Sequence, residues 1–346
     1  MKEGATVTVF EQDGAGTAAA RPGTAKAVPT VSIGMPVFNG ENYVGQAIAA
    51  VLAQSLTAFE LIVCDNASTD ATGDIARDAV RLDRRVRYER HDSNRGASFN
   101  FNRLFAVADP KARYLKWAAA DDEHHPTYLS RTVALLDGDP GLVVAHSLTA
   151  DIDDEGYRLR VRHQPTTRLG DPSPAARLRD LVTMSHECFD VFGVVRADAL
   201  RSTHGLGPFS DADNVLLVEL ALRGRFGRVD DVLFLRRQHA DRSVSTYRTS
   251  RQRVSWFDPA RVEDRFPAWR IGRELIAAVH RAPLTASERM DCYRGLSVYV
   301  RHSWPALTKN VVRSAMAAAA GGAPARRASV SSAPDGAASP VAASGT

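Results

Sequence analysis

Phe59-Glu60-Leu61-Ile62-Val63-Cys64-Asp65, followed at once by Asn66-Ala67-Ser68-Thr69-Asp70, is the stretch on which the fold turns. A compact apolar run of this length reads as a parallel strand covered on both faces. The abrupt change to small polar residues ends the strand, and helical spacing resumes over Thr69–Leu82. Working outward, the same alternation recurs. Val31–Val37 is a short strand ending near the turn Asn39-Gly40, and Glu41–Ala53 has helical spacing. Val86–Arg90, Tyr114–Ala118 and Leu142–His146 read as strands, separated by helical patterns over Ala97–Ala108 and Pro126–Leu136, the second with proline in its first turn. Strands alternating with helices across short links predict βαβ units, hence an α/β fold with a doubly wound, mostly parallel sheet. Polar residues gather just after the strands, at Asp65, His91–Asn94 and Asp121-Asp122. Ligands in open α/β sheets bind outside those carboxyl ends.

Beyond Asp151 the alternation loosens. Phe189–Val195 and Val232–Arg236 are expected strands, Asp213–Leu222 a helix closed by Gly224, and Val254–Ala317 a C-terminal helical extension. Residues 1–28 and 321–346, rich in Ala, Gly, Ser, Thr and Pro, are expected to be disordered tails, because they bury too little to offset their ordering entropy. The expected division is therefore a catalytic domain over 29–250 and a helical extension over 251–320. The net charge of +4 is too small to argue for nucleic acid. Between His239 and Arg301, however, 12 arginines and no lysine face 7 acids, an excess of +5. That segment is either a basic surface for phosphates or anionic lipid, or a solvated helical face. Three cysteines without a CxxC pattern suit a reducing compartment. With no signal-like or spanning apolar run, the cytoplasm is the expected location, with the inner face of the membrane as a candidate contact.

Two groups of residues carry chemistry. A carboxylate at Asp65 can accept from a base N–H or a ribose hydroxyl, while Thr69 or Asp70 is better placed to cap the following helix. Asp121 and Asp122 repel one another unless a cation lies near them. A hard divalent ion satisfies such a pair and completes its shell with water and substrate phosphates. The competing reading is an acidic pair favoured by the next helix dipole.

Taken in order, several motifs together resemble the family 2 glycosyltransferases of the GT-A fold. They are Ser32-Ile33-Gly34-Met35-Pro36-Val37-Phe38-Asn39, Gln54-Ser55, Glu60 to Asp70, Asn94-Arg95-Gly96, Tyr114-Leu115-Lys116-Trp117, and Asp121-Asp122 with Pro126. The resemblance implies an inverting transfer from a UDP- or dTDP-sugar to an acceptor hydroxyl, in cell-envelope, polysaccharide or glycoconjugate synthesis. It implies that Val37, Asp65, Asn94, Arg95 and Asp121 line the nucleotide. It also implies that Asp122 and His239 serve Mn²⁺ or Mg²⁺, and that Asp213 is the catalytic base. Arg242 and Ser243 are positioned for phosphate. The chain departs from the family at Ala119, where another Asp is common, and at Ala212, where a Glu usually precedes the base. The implied partners are a nucleotide-sugar donor, a saccharide, lipid-linked or small-molecule acceptor, and a peripheral membrane contact. The alternatives are a non-catalytic nucleotide-sugar-binding protein and a nucleotidyltransferase. The second would want a glycine-rich basic loop after the first strand, where Met35 to Gly40 stand instead. A dinucleotide-binding dehydrogenase would require GxGxxG after a strand, and none occurs.

Overall fold

In the computed structural model, the residues described are 28–319, apart from 163–167, 184–186, 241, 243–245, 248 and 262. The two expected tails, except for Val28, lie outside these residues, as does Ser243. The apolar run Phe59–Asp65 is strand β2, buried throughout. It lies between β1 (Val31–Val37) and β3 (Val86–Arg90), parallel to both. On the far side of β1, β4 (Tyr114–Trp117) is parallel as well. The strand order is thus β3-β2-β1-β4, and it reverses direction between β1 and β4. That reversal opens a crevice at the carboxyl ends, where crossovers depart to opposite sides.

Alternate side chains of β2 feed two cores, one on each face of the sheet. Leu61 and Val63 pack with α1 (Val44–Leu52), α2 (Thr72–Leu82) and α4 (Tyr128–Gly138). Ile62 and Cys64 pack on the opposite face with α3 (Ala97–Val107), α5 (Pro174–Thr183) and α7 (Ala212–Ala221). Burial on both faces explains why the strand reads as continuously apolar. The doubly wound α/β fold expected from the alternation is the one observed.

The sheet continues beyond β4 with mixed pairing. Its further strands are β5 (Glu123–His124), β6 (Leu142–Ile152), β8 (Val194–Arg196) and β9 (Arg225–Arg237), in the order β4-β8-β6-β9-β5, with β7 (Arg158–Arg162) added to β6. β8 is antiparallel to β4 and β6, and β9 is parallel to β6. Parallel pairing therefore holds for the first four strands, and the rest is mixed. Three expected strands change extent, the first being β6, which runs past the expected His146 to Ile152. Phe189–Phe192 is a 3₁₀ turn, entered through Cys188 at φ 53°, and only Val194–Arg196 is extended. A Cβ on Gly193 would come within 2.9 Å of the Ala145 and Asp190 carbonyls, so a glycine lets the chain turn there. β9 begins at Arg225, earlier than its apolar core implies, because Asp230-Asp231 falls at a register shift opposite Ser147 and Leu148.

The C-terminal part is helical: α8 (Ser250–Phe257), α9 (Pro267–Arg281) and α10 (Ala286–Ala319). Its arginines are largely engaged. Arg261, Arg270 and Arg294 pair with nearby acids, and Arg281 ties α9 to the buried Glu219 of α7.

A lysine lies buried inside the sheet. Lys116 on β4 is buried; its Nζ donates to the Trp117 carbonyl at 3.1 Å and to that of Phe192, and sits 4.6 Å from the Tyr128 ring centre. Burial lowers its pKa to about 7, against the opposing charge of Asp122. Between that value and the ordinary 10.5, the unfolded chain holds a proton that the folded chain has released, so stability rises with pH across this window. Lys116→Met should remove that rise, which is on the order of a few kcal/mol. Urea unfolding at pH 6.5 and 9 measures it, and an unchanged pH dependence in the variant would disprove the assignment.

Candidate active site

The wall of the crevice on the β1–β2 side is built by loops that lock one another. Asn39 (φ 51°) accepts from Thr69 N through its side chain, and its own N–H donates to Ser68 Oγ. The Glu41 N–H donates to Asp70 Oδ2, and Glu41 Oε2 accepts from Ala71 N. These bonds take up Asn39 to Glu41, so α1 starts at Val44 instead of Glu41. They also take Ser68 and Thr69 away from capping α2, whose N-cap, Ala71, has no side-chain cap. The capping expected of Thr69 is therefore not observed. Asp70 accepts from Thr72 N at 3.0 Å as well as from Glu41 N.

Val37 ends β1 in register with Asp65. The Asp65 side chain is fully buried: Oδ1 accepts from Ser68 N at 2.8 Å, and Oδ2 accepts from Tyr88 Oη at 2.6 Å and Arg90 Nη1 at 2.7 Å. Burial raises its pKa, but these bonds and the Arg90 charge outweigh that and hold the carboxyl below its ordinary range. Sequence reasoning gave Asp65 an oxygen facing a base; the structure gives its oxygens three protein donors. Asp65→Ala should consequently cost stability, with roughly 1.5–3 kcal/mol for a charged hydrogen bond. An unchanged urea midpoint would show that these bonds contribute nothing. Asn66 joins the neighbouring loop, donating to Asn94 Oδ1 at 2.8 Å and accepting from Arg95 N at 3.0 Å. Asn94 and Arg95 are exposed at this rim. The loop turns through Gly96 (φ 86°), where a Cβ would lie 2.5 Å from the Phe257 carbonyl oxygen.

Across the crevice, beyond β4, Asp121 and Asp122 meet the end of β9. Asp122 is buried, and its Oδ1 accepts from Arg237 N at 2.9 Å. Its pKa is raised well above the carboxylate range, first by burial and then by the Asp121 charge. His239 Nε2 lies 3.0 Å from Asp121 Oδ2, while the buried Nδ1 has no hydrogen-bond partner. Two acids and an imidazole are thus brought together. Among the described residues no cluster of three or more His, Cys, Asp or Glu stands ready to hold a metal unaided. The donor set still fits a hard divalent ion that takes its remaining ligands from water and phosphate: a cation would relieve the desolvated acid pair, and the carboxylate oxygens suit Mn²⁺ or Mg²⁺.

Sequence reasoning missed the residue that assembles this corner. The fully buried Arg237 donates through Nε to the Asp121 carbonyl at 3.1 Å, through Nη1 to those of Asp153 and Asp154 at 2.9 and 2.6 Å, and through Nη2 to Glu123. Tyr43 packs against it, 4.5 Å from the His239 ring and 5.1 Å from the Arg237 guanidinium. Two arginines at the end of an apolar run were a readable signal; nothing in the sequence marked Tyr43.

Asp213 stands in the first turn of α7, partly exposed. Asp211 occupies the N-cap position at φ 64° and makes no side-chain cap. The acids here are therefore not consumed by capping. Burial, then the charge of Asp213, raises the Cys188 thiol, which also hydrogen-bonds Asp213. Asp213 is thereby placed beside the Cys188 to Phe192 turn.

Residues 32–201 match the family model for glycosyl transferase family 2. The chain belongs to the family 2 glycosyltransferases. An uncharacterized glycosyltransferase of Rickettsia felis is 31% identical over 133 residues, 38% of this chain and 21% of the relative. The putative teichuronic acid biosynthesis glycosyltransferase TuaG of Bacillus subtilis is 32% identical over 108 residues, 31% of this chain and 42% of TuaG. The matched stretch is therefore less than half the length of either relative. Staphylococcus aureus TarS 1–349 in complex with UDP-GlcNAc superposes with a TM-score of 0.58 at 16% identity, covering 79% of this chain and 73% of that one. Mannosyltransferase PcManGT from Pyrobaculum calidifontis, in complex with GDP-Man and Mn²⁺, gives 0.50 at 17% identity, covering 86% and 77%. These likenesses are of fold: the chain has the GT-A fold with a C-terminal helical part.

Proposed function

We propose that this family 2 glycosyltransferase moves a sugar from a nucleotide-sugar donor to an acceptor hydroxyl with inversion, using residues 29–250 as its catalytic unit and 251–320 as a helical extension. The observation that carries the reading is the meeting of Asp121, Asp122 and His239 beside the β1–β4 switch point, where a donor diphosphate would lie. Val37, Asp65, Asn94 and Arg95 form the nucleotide side, with Asp65 acting through the residues it holds. Asp121, Asp122 and His239 would hold a divalent ion, which would supply charge to stabilise the departing diphosphate. Asp213 takes the proton of the acceptor hydroxyl. Arg237 holds the Asp121 backbone carbonyl through its guanidinium and the Asp122 carboxylate through its own N–H. The complexes of TarS with UDP-GlcNAc and PcManGT with GDP-Man and Mn²⁺ support this donor chemistry, and the name of TuaG supports a place in polysaccharide synthesis.

The test is a panel of UDP-, dTDP- and GDP-sugars with Mn²⁺, read by thermal shift and donor hydrolysis. A donor at 100 times its dissociation constant should add about 2.7 kcal/mol of stability. Binding without turnover would favour a non-catalytic binding protein, and nucleotide transfer to a sugar phosphate would favour a nucleotidyltransferase.

The helical extension supports a peripheral contact with an anionic membrane. On α10, Val300, Trp304, Val311 and Val312 are exposed together with Arg301, Lys309 and Arg313, and on α9 Trp269 and Ile276 are exposed with Arg273. No helix among the described residues is long and apolar enough to cross a membrane. Trp304→Ser with Lys309→Glu should weaken sedimentation with vesicles containing phosphatidylserine. Wild-type protein that stays in the supernatant at low salt would remove the contact.

A further inference from the structure

Strand β7 carries arginines at 158, 160 and 162, every second position of an added strand. Register sets Arg160 opposite Asp151 on β6, and Asp151 opposite Arg236 on β9. The Asp151 carboxylate is buried and saturated. Oδ2 accepts from Arg160 Nε at 2.8 Å, and Oδ1 accepts from Arg236 Nε and Gln238 Nε2, each at 3.0 Å. Arg162 Nε also approaches Oδ2 at 2.8 Å, yet this buried atom completes no hydrogen bond. Arg242 joins through Gln238 Oε1 at 2.8 Å. Glu187 adds one half-exposed carboxylate, 3.3 Å from Arg162 and 3.6 Å from Arg236.

Among the described residues, the guanidiniums of Arg160, Arg162 and Arg236 therefore face the carboxylates of Asp151 and Glu187, and that of Arg242 joins them through Gln238. A network built only for stability would leave no buried donor unpaired, as Arg162 Nε is, since desolvating an unmatched polar group is costly. Guanidinium forks also offer more N–H donors than these acids accept, and the unmatched ones suit paired oxygens of a carboxylate or phosphate. The position is informative. Arg236 and Arg242 lie near enough for their charges to act on Asp122. On the other side, Arg236 stacks 4.6 Å from the Phe189 ring, and Glu187 leads through Cys188 to Asp213. The cluster thus lies between the acid pair and the candidate base. It opens to solvent along β7, where the Arg160 side chain is 62% exposed. The Asp65–Asn94 rim stands instead at β2 and β3, toward the opposite end of the strand order.

We propose that Arg160, Arg162, Arg236 and Arg242 bind an anionic group, a phosphate or a carboxylate, carried by the sugar acceptor, so that the enzyme selects acidic acceptors over neutral ones. This rests on the glycosyltransferase reading. The experiment titrates inorganic phosphate into the full chain by calorimetry, with and without saturating nucleoside diphosphate (UDP, dTDP and GDP in turn) and Mn²⁺. It compares wild type with Arg160→Gln, Arg160→Lys and Arg162→Gln. Phosphate should bind equally well with nucleotide present. Each Gln variant should weaken phosphate by about tenfold or more, and Arg160→Lys by less, with nucleotide affinity unchanged in all three. Thermal unfolding checks the fold; Arg160, being exposed, tests the idea even if Arg162→Gln unfolds. Phosphate binding that is abolished by bound nucleotide would assign the arginines to the donor diphosphate and overturn the proposal. So would Gln variants that bind phosphate as wild type does. If phosphate binds but no nucleotide does, the transferase reading itself fails, and the acceptor assignment with it.

Discussion

Asp122→Asn should leave the fold intact, or more stable, while metal-dependent transfer collapses. In the metal-free protein Asp122 is buried beside Asp121, and its carboxyl is raised well above the ordinary 3.8, first by burial and then by that neighbour. Above 3.8 the unfolded chain releases a proton that the folded chain retains, so this residue makes stability fall as pH rises through that window. Asparagine has nearly the same shape, keeps an oxygen for Arg237 N, and carries no charge to desolvate. In chelator, the variant should thus unfold at the same or a higher urea concentration than wild type near neutral pH, with a flatter pH dependence. With metal the order reverses, because wild type gains binding energy that the variant lacks. Losing an outer-shell partner already costs about 10–100-fold in metal affinity, so losing a direct ligand should cost at least that much. Mn²⁺ titration by calorimetry, run beside turnover with and without EDTA, reads both effects. Full wild-type activity in EDTA would dispose of the metal role of Asp121, Asp122 and His239 together.

How much of this was legible in the sequence follows from the range of the forces involved. β1, β2 and β4 are buried on both faces, so their positions had to be apolar and the runs stood out; the crevice followed from the polar residues at their ends. Lys116 broke the pattern inside such a run without announcing that it would be buried among carbonyls and an aromatic ring. Beyond Asp151, β9 is held by bonds that join residues 84 to 116 positions apart, such as those from the Arg237 guanidinium to the Asp153 and Asp121 carbonyls, and no local period encodes those partners. The same holds for Asp65, whose partners Tyr88 and Arg90 come from the neighbouring strand and leave none of the side chain exposed. The motif located that carboxylate correctly at the crevice but could not say which way its oxygens were committed.

Asp213→Asn should bind nucleotide sugar as wild type does and transfer almost nothing. An acceptor hydroxyl is a poor nucleophile at neutral pH, so direct displacement needs a carboxylate within hydrogen-bond reach of it. Two acids compete for the role at the start of α7. Had either served as a cap, its loss would cost about 1 kcal/mol of stability and leave turnover of the folded protein alone. Neither side chain is spent that way: Asp211 sits at the N-cap in a left-handed conformation without a cap bond, and Asp213 accepts from the adjacent Asn214 N at 2.9 Å and from the Cys188 thiol. Desolvation, then the Asp213 charge, raises the Asp211 carboxyl, so Asp211 is held in the field of Asp213. Asp211→Asn relieves that repulsion and should preserve activity. Asp213→Asn removes the proton acceptor and should lower turnover by roughly 10²–10⁴-fold with donor affinity and urea midpoint nearly unchanged. Single-turnover transfer from the donor found in the panel, measured for both variants, separates them. A dead Asp211→Asn beside an active Asp213→Asn would move the base to Asp211. Activity in both would place the base elsewhere and break the correspondence between α7 and the family's catalytic helix.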